Sequence, residues 1–197
     1  MFDDADSVIR EELRPGERLL WSGQPPQGMR LHAADVFMIP FSLMWGGFAI
    51  FWEIGVIASD APMFFAGFGL PFVLIGLYLI IGRFWVDARQ RARTYYGLTD
   101  SRVIIVSGAF SRSARSWNIP TLSDVALTKK KGGNGTITFG PVNFWKLPWP
   151  IAMLDWYANA GWPEMGGYSS PRIELDSNVE EVYDKLMAVQ SSRGDIR

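Results

Sequence analysis

The chain has 197 residues, a formal net charge of -1, 48% hydrophobic and 14% aromatic residues, and no cysteine. That length suits one modest domain with an accessory element rather than two full soluble domains. The missing thiols exclude disulfides, thiolate metal sites and cysteine nucleophiles, and the single histidine, His32, excludes His-rich metal clusters.

The chain opens with MFDDADSVIREEL, acidic where a secretory signal carries a positive region before its apolar core, so a cleaved signal peptide is not expected. A short amphipathic helix is predicted over residues 6–13. An extended piece follows at residues 17–23 and is placed to pair with a sheet on the same side of a membrane. His32, just before the first apolar run, has no nearby carboxylate or nucleophile and reads as an interfacial bystander.

Residues 36–57, VFMIPFSLMWGGFAIFWEIGVI, form an apolar run that would extend roughly 33 Å as a helix, enough to cross the hydrocarbon core. Residues 63–81, MFFAGFGLPFVLIGLYLII, would extend roughly 28 Å. Two membrane-spanning helices joined by a five-residue link are therefore expected. Two buried core helices are the soluble alternative, but the remaining chain is too small to wrap both. Pro40 and Pro71 are compatible with membrane helices, where neighbours satisfy the freed carbonyls. Basic residues set the orientation: Arg30 precedes the first run, Arg83, Arg89, Arg91 and Arg93 follow the second, and the link has none. Both termini should face the cytoplasm, with Trp85 at the interface.

Beyond Arg93 the period shortens. TYYGLT and RVIIVSG flank Asp100 and Ser101 as a strand-turn-strand signal. Further strands are predicted over residues 114–120, 125–130 and 135–140, the last two joined through Gly132, Gly133 and Asn134, which tolerate positive φ. Residues 141–170 break the pattern with Trp145, Trp149, Trp156 and Trp162 among prolines and glycines. PRIELD can supply one more strand, and SNVEEVYDKLMAVQ one helix. Ser177 and Glu180 have capping-box spacing there, Glu181 precedes Lys185 by four residues, and Val179, Val182, Leu186 and Val189 form one apolar stripe.

This order of parts, PGE-x-L-L-W-S-G, a membrane hairpin, an arginine-rich exit and Y-G-L-T-D-x-R-V-I-I, resembles bacterial pleckstrin-homology-like (PH-like) membrane proteins of the second bacterial type. Pro15, Gly16, Glu17, Trp21, Gly23, Tyr96, Leu98, Thr99, Arg102, Val103 and Gly108 carry the resemblance. It implies a partly open β-barrel of about seven strands plugged by a C-terminal helix, and no particular chemistry. The expected fold class is thus membrane α+β: a two-helix transmembrane hairpin plus a small antiparallel PH-like β-barrel with a C-terminal helix. Its parts are an N-terminal segment (1–34), the hairpin (35–86), a PH-like domain (87–191) with a Trp-rich insertion (141–170), and a tail (192–197).

Several side chains stand out as sites. Arg83, Arg89, Arg91 and Arg93 suit anionic headgroups, or serve only to fix topology. Lys129, Lys130 and Lys131 crown a hairpin suited to phosphate groups, or form a solvated charge run. Glu53 is an ionisable group inside the first span, either functional or a snorkelling side chain. The four tryptophans between Trp145 and Trp162 form a membrane or partner surface, or a lid on the barrel. Neither catalytic nor metal-binding residues form a recognisable constellation, so no enzyme activity and no cofactor are expected. The expectation is a binding or assembly module at the cytoplasmic face of the bacterial inner membrane. Its expected partners are membrane lipids, including anionic ones, a second copy or other membrane proteins, and not nucleic acid. The alternatives are a headgroup sensor and an accessory subunit of a larger complex that packs through Ser42 and Gly46, or Gly55 and Ser59.

Overall fold

In the computed structural model, Leu19–Gly23 (β1) lies antiparallel to Tyr95–Thr99 (β2), with Trp21 opposite Leu98 and Ser22 opposite Gly97. The structure describes residues 4–31, 35–108, 111–122, 124–129, 132–139 and 171–194. Between these two neighbouring strands the chain runs out through one helix and back through another. Asp35–Ala58 (α2) is followed by Met63–Leu77 (α3), a π-turn at Tyr78–Gly82, and Arg83–Ala92 (α4). Both helical runs, of 24 and 30 residues, are long and apolar enough to cross a membrane, and only 17% of either apolar window is buried. A core helix of a soluble domain would be covered on most of its surface. These helices leave Phe37, Phe48, Phe51, Phe64 and Leu74 uncovered.

The two helices meet where neither has a side chain. A Cβ added at Gly76 would lie 2.8 Å from the Gly46 Cα. Small residues of this kind let membrane helix backbones approach closely. Ser42 and Gly46 are both buried, so the small-residue face expected to receive another subunit is covered by α3 of the same chain. Gly55 has open space around it.

After the hairpin the strands follow in chain order. β2 pairs with Arg102–Ser107 (β3), and β3 with Ser113–Asn118 (β4), giving a four-stranded antiparallel sheet in the order β1-β2-β3-β4. Ala126–Lys129 (β5), Gly135–Thr138 (β6) and Arg172–Leu175 (β7) form a second antiparallel sheet. Gly132 and Gly133, at φ 88° and 79°, make the β5–β6 turn. The described strands do not close into a barrel. They form two sheets that share one core, in which Tyr96, Leu98 and Val103 meet Ile137, Phe139, Ile173 and Leu175.

Val179–Gly194 (α5) closes this core with Val179, Val182 and Leu186, and Val189 packs at its margin. The predicted stripe therefore does what its spacing requires. The predicted capping box is out of register by one residue, because the helix begins at Val179. Glu180 instead pairs with Lys129 at 2.7 Å, while Glu181 and Lys185 form the expected i,i+4 pair.

The first sheet is apolar on both faces, which follows from alternation along β3: Val103 and Ile105 face the shared core, while Ile104 and Val106 face the opposite side. That outer face is covered by Ala5–Arg10 (α1) through Val8 and Ile9. Six residues are too few to hold a helix in water, so tertiary packing supports it. Gly97 makes room: a side chain there would collide with Ile9.

Candidate functional site

The motifs that flank the helical hairpin, P-G-E before it and Y-G-L-T-D-x-R after it, meet at one carboxylate. In P-G-E, Gly16 has φ 82° and the Glu17 amide donates to the Arg14 carbonyl at 3.0 Å, as suits a type II turn with Pro15 at its second position. The turn aims Glu17 at the β2–β3 corner. Its Oε1 accepts from Thr99 Oγ1 (2.7 Å), Ser101 Oγ (2.9 Å) and Arg102 Nε (2.9 Å), and its Oε2 from Arg102 Nη2 (3.0 Å) and the Arg14 amide (2.8 Å). Arg102 also donates to the Glu12 carbonyl at 2.7 Å and to Ser116 Oγ at 3.3 Å. Both side chains are nearly buried. Burial alone would raise the Glu17 pKa, but the bonds from Arg102, the Arg14 amide, Thr99 and Ser101 outweigh it and hold the carboxyl down at about 2. Trp21 and Gly23 complete the motif, since the Trp21 ring lies over Gly23 and leaves no space for a side chain there. These residues fasten β1 to the sheet.

A second junction fastens the hairpin itself. Asp35, at the start of α2, pairs with Arg83 Nη1 at 2.6 Å, and both side chains are 3% exposed. Arg83 Nε donates to the Leu79 carbonyl within the π-turn at 3.0 Å, and its guanidinium lies 4.3 Å from the Phe84 ring centroid. An i→i+5 turn shifts the residues after it around the helix axis, which is how Arg83 comes to face α2. Asp35 also sits at a helix N-terminus, where negative charge is favoured.

A third junction holds the sheet against the helical stem. Arg91 pairs with Asp87 at 3.0 Å and reaches Glu174 of β7 at 3.4 Å, and Arg172 reaches Glu174 at 3.0 Å. Gln27 donates to the Arg91 carbonyl at 3.2 Å, and Arg30 pairs with Asp176 at 2.6 Å. Tyr96 lies beside this group, and burial together with the Glu174 charge pushes its phenol above the ordinary range. Both connections into the hairpin are thus tied to β7 or to the residue that follows it.

The predicted headgroup residues are accordingly divided. Arg83 and Arg91 are buried in ion pairs within the chain and do not present their guanidinium groups at the surface. Arg89 lies 5.5 Å from the Trp85 ring centroid, and Arg93 is exposed at the end of α4. Lys129 is exposed and bridged to Glu180. Lys130, Lys131, Trp145, Trp149, Trp156, Trp162 and His32 lie outside the described residues. Glu53 packs its carboxylate over Gly69 beside Trp52, and its Oε2 is buried with no hydrogen-bond partner among the described residues. Among those residues no group of three or more His, Cys, Asp or Glu is placed to hold a metal ion.

Sequence reasoning overlooked Asp35, Asp87, Glu174 and Asp176, the acidic halves of these junctions. Asp35 was detectable as a carboxylate abutting an apolar run, a position that needs a partner. The roles of Glu174 and Asp176 at this junction had no local signal, because Arg91 and Arg30, the partners that tie them to the helical stem, lie about 80 residues or more away in the chain. Comparison with protein-family models, curated proteins and solved structures finds no match.

Proposed function

We propose that the protein is a membrane-anchored binding or assembly module, with α2 and α3 crossing the bacterial inner membrane and a PH-like domain seated at its cytoplasmic face. One observation carries this reading: the apolar hairpin is inserted between two hydrogen-bonded strands of a single sheet. Anchor and domain then form one unit, and both flanks of the hairpin lie on one side of the membrane. The reading is supported by the arginines that flank the spans, by the order of four strands, three strands and a closing helix, and by a buried polar network whose groups are occupied in structural bonds. That arrangement agrees with the PH-like resemblance. It suits a scaffold that presents a surface rather than a site that turns over substrate.

The headgroup-sensor reading is weakened at Arg83 and Arg91, whose charges are matched inside the chain. The accessory-subunit reading retains the α2 and α3 surfaces other than the Ser42 and Gly46 face. Isolating the full chain from native membranes in nanodiscs, and identifying co-isolated proteins and lipids, tests the proposal. A protein partner in fixed proportion supports assembly. Isolation with lipid alone contradicts it, and selective enrichment of anionic lipid would favour the sensor.

A further inference from the structure

Just before α2 the described chain carries two of its most exposed large apolar side chains, Met29 at 75% and Leu31 at 74%. This segment is held in place: Gln27 is bonded to the Arg91 carbonyl, Arg30 is paired with Asp176, and Asp35 is paired with Arg83. Gln27 is thus bonded at the Arg91 end of α4 and Asp35 at its Arg83 end, and Trp85, within that helix, is exposed and has Arg89 beside its ring. Val36, Phe37 and Ile81, at the neighbouring ends of the spans, are exposed as well. Three of the arginines along this collar, Arg30, Arg83 and Arg91, each face a carboxylate of the same chain.

We infer that residues 28–31 lie in the cytoplasmic headgroup layer of the bilayer, as an apolar anchor continuous with the spans. The surface is fitted to a lipid interface and recognises it through Met29, Leu31 and Trp85 rather than through lipid charge. This rests on the membrane-spanning reading of α2 and α3. Two ordered apolar side chains held three-quarters exposed in water would gain nothing from being fixed there, whereas side chains inserted at the headgroup–acyl boundary, roughly 5–10 Å deep, remove that surface from water. Trp85 suits the same level, with its ring at the headgroups. Matched arginines leave the apolar contact as the dominant attraction, so the segment should insert into neutral membranes as well as anionic ones. The sheet is then seated on the membrane through β7, with Glu174 and Asp176 next to the surface, and does not sway on a stalk.

The chain has no cysteine, so single-cysteine variants report one place each. Met29→Cys, Leu31→Cys, Phe48→Cys in the exposed part of α2, and Ala114→Cys on the exposed β4 are labelled with an environment-sensitive fluorophore. The full-length protein is placed in nanodiscs of zwitterionic lipid with brominated acyl chains, with and without added anionic lipid. The expected result is blue-shifted emission and strong quenching at positions 29, 31 and 48 in both compositions, with water-like, unquenched emission at 114. Water-like emission at 29 and 31 with quenching at 48 would overturn this inference and leave the spans standing. Quenching at 29 and 31 only with anionic lipid would also overturn it, in favour of charge-driven docking. Loss of quenching at 48 as well would overturn the spanning reading on which it rests.

Discussion

Glu17 is the residue that fastens the N-terminal segment to the sheet beyond the hairpin. It accepts from five donors, and it is the counter-ion of a buried arginine. Glu17→Gln keeps the shape and removes the charge, leaving Arg102 buried without its partner, which costs about 3–5 kcal/mol for pairs of this kind. Because the folded-state pKa is depressed from 4.5 to about 2, its contribution is fully present above pH 4.5 and is lost as pH falls towards 2. The linked stability is on the order of 3 kcal/mol. Thermal unfolding of the detergent-solubilised protein should therefore show a lower Tm for Glu17→Gln at neutral pH, and a shallower loss of stability between pH 5 and 2 than in the parent. Identical pH slopes would remove Glu17 from this role. The motif residues around Glu17 were visible as a resemblance, but their roles were not, because a carboxylate that closes a sheet and one that serves a site look alike in one dimension.

At the scale of elements, the legible features were the long apolar runs and the periodic stripe of α5. The apolar runs are left bare and the stripe of α5 is buried as their patterns imply, whereas β3, apolar at every position from Val103 to Val106, carries no alternation that names a face. The continuation of the second helix through a π-turn into α4 was not legible, since Arg83, Asp87, Arg89, Gln90 and Arg91 break up residues 83–92 and the apolar run had already ended. That extension brings Arg83 to Asp35. Buried ion pairs are weak contributors to stability but severe to break singly, so Asp35→Leu and Arg83→Leu should each destabilise the protein by about 3–5 kcal/mol, and the double variant by much less. A double-mutant cycle on unfolding in detergent checks this. Additive losses in the double variant would mean that the two charges act separately. The Trp-rich stretch at residues 141–170 lies outside the described residues, and its expected role rests on composition alone.

At the scale of the molecule, the hairpin interrupts one sheet and cannot be treated as a detachable anchor. A boundary near residue 87, natural from the change in hydropathy, cuts β1 and α1 away from the sheet they complete. Removing them uncovers Ile104 and Val106 and deprives Arg102 of Glu17. A fragment of residues 87–197 should therefore aggregate or show no cooperative unfolding, whereas residues 4–31 joined by a short flexible linker to residues 83–197 should unfold cooperatively. Equal behaviour of the two fragments, followed by circular dichroism and size-exclusion chromatography, would show that the first strand is dispensable. The extended piece at residues 17–23 was placed to pair with the sheet and does so, but its neighbour and register were not legible, because β1 and β2 are separated in the chain by both apolar helices.

The central claim, two spans with the strands on both flanks completing one cytoplasmic sheet, is tested most directly by labelling single cysteines with a membrane-impermeant maleimide in intact spheroplasts. Leu20→Cys on β1 and Ala114→Cys on β4 should be protected until the membrane is permeabilised, while Ser59→Cys, in the link between the two helices, should be labelled from outside. Labelling of either position 20 or position 114 in intact spheroplasts, or protection of position 59, would contradict the account.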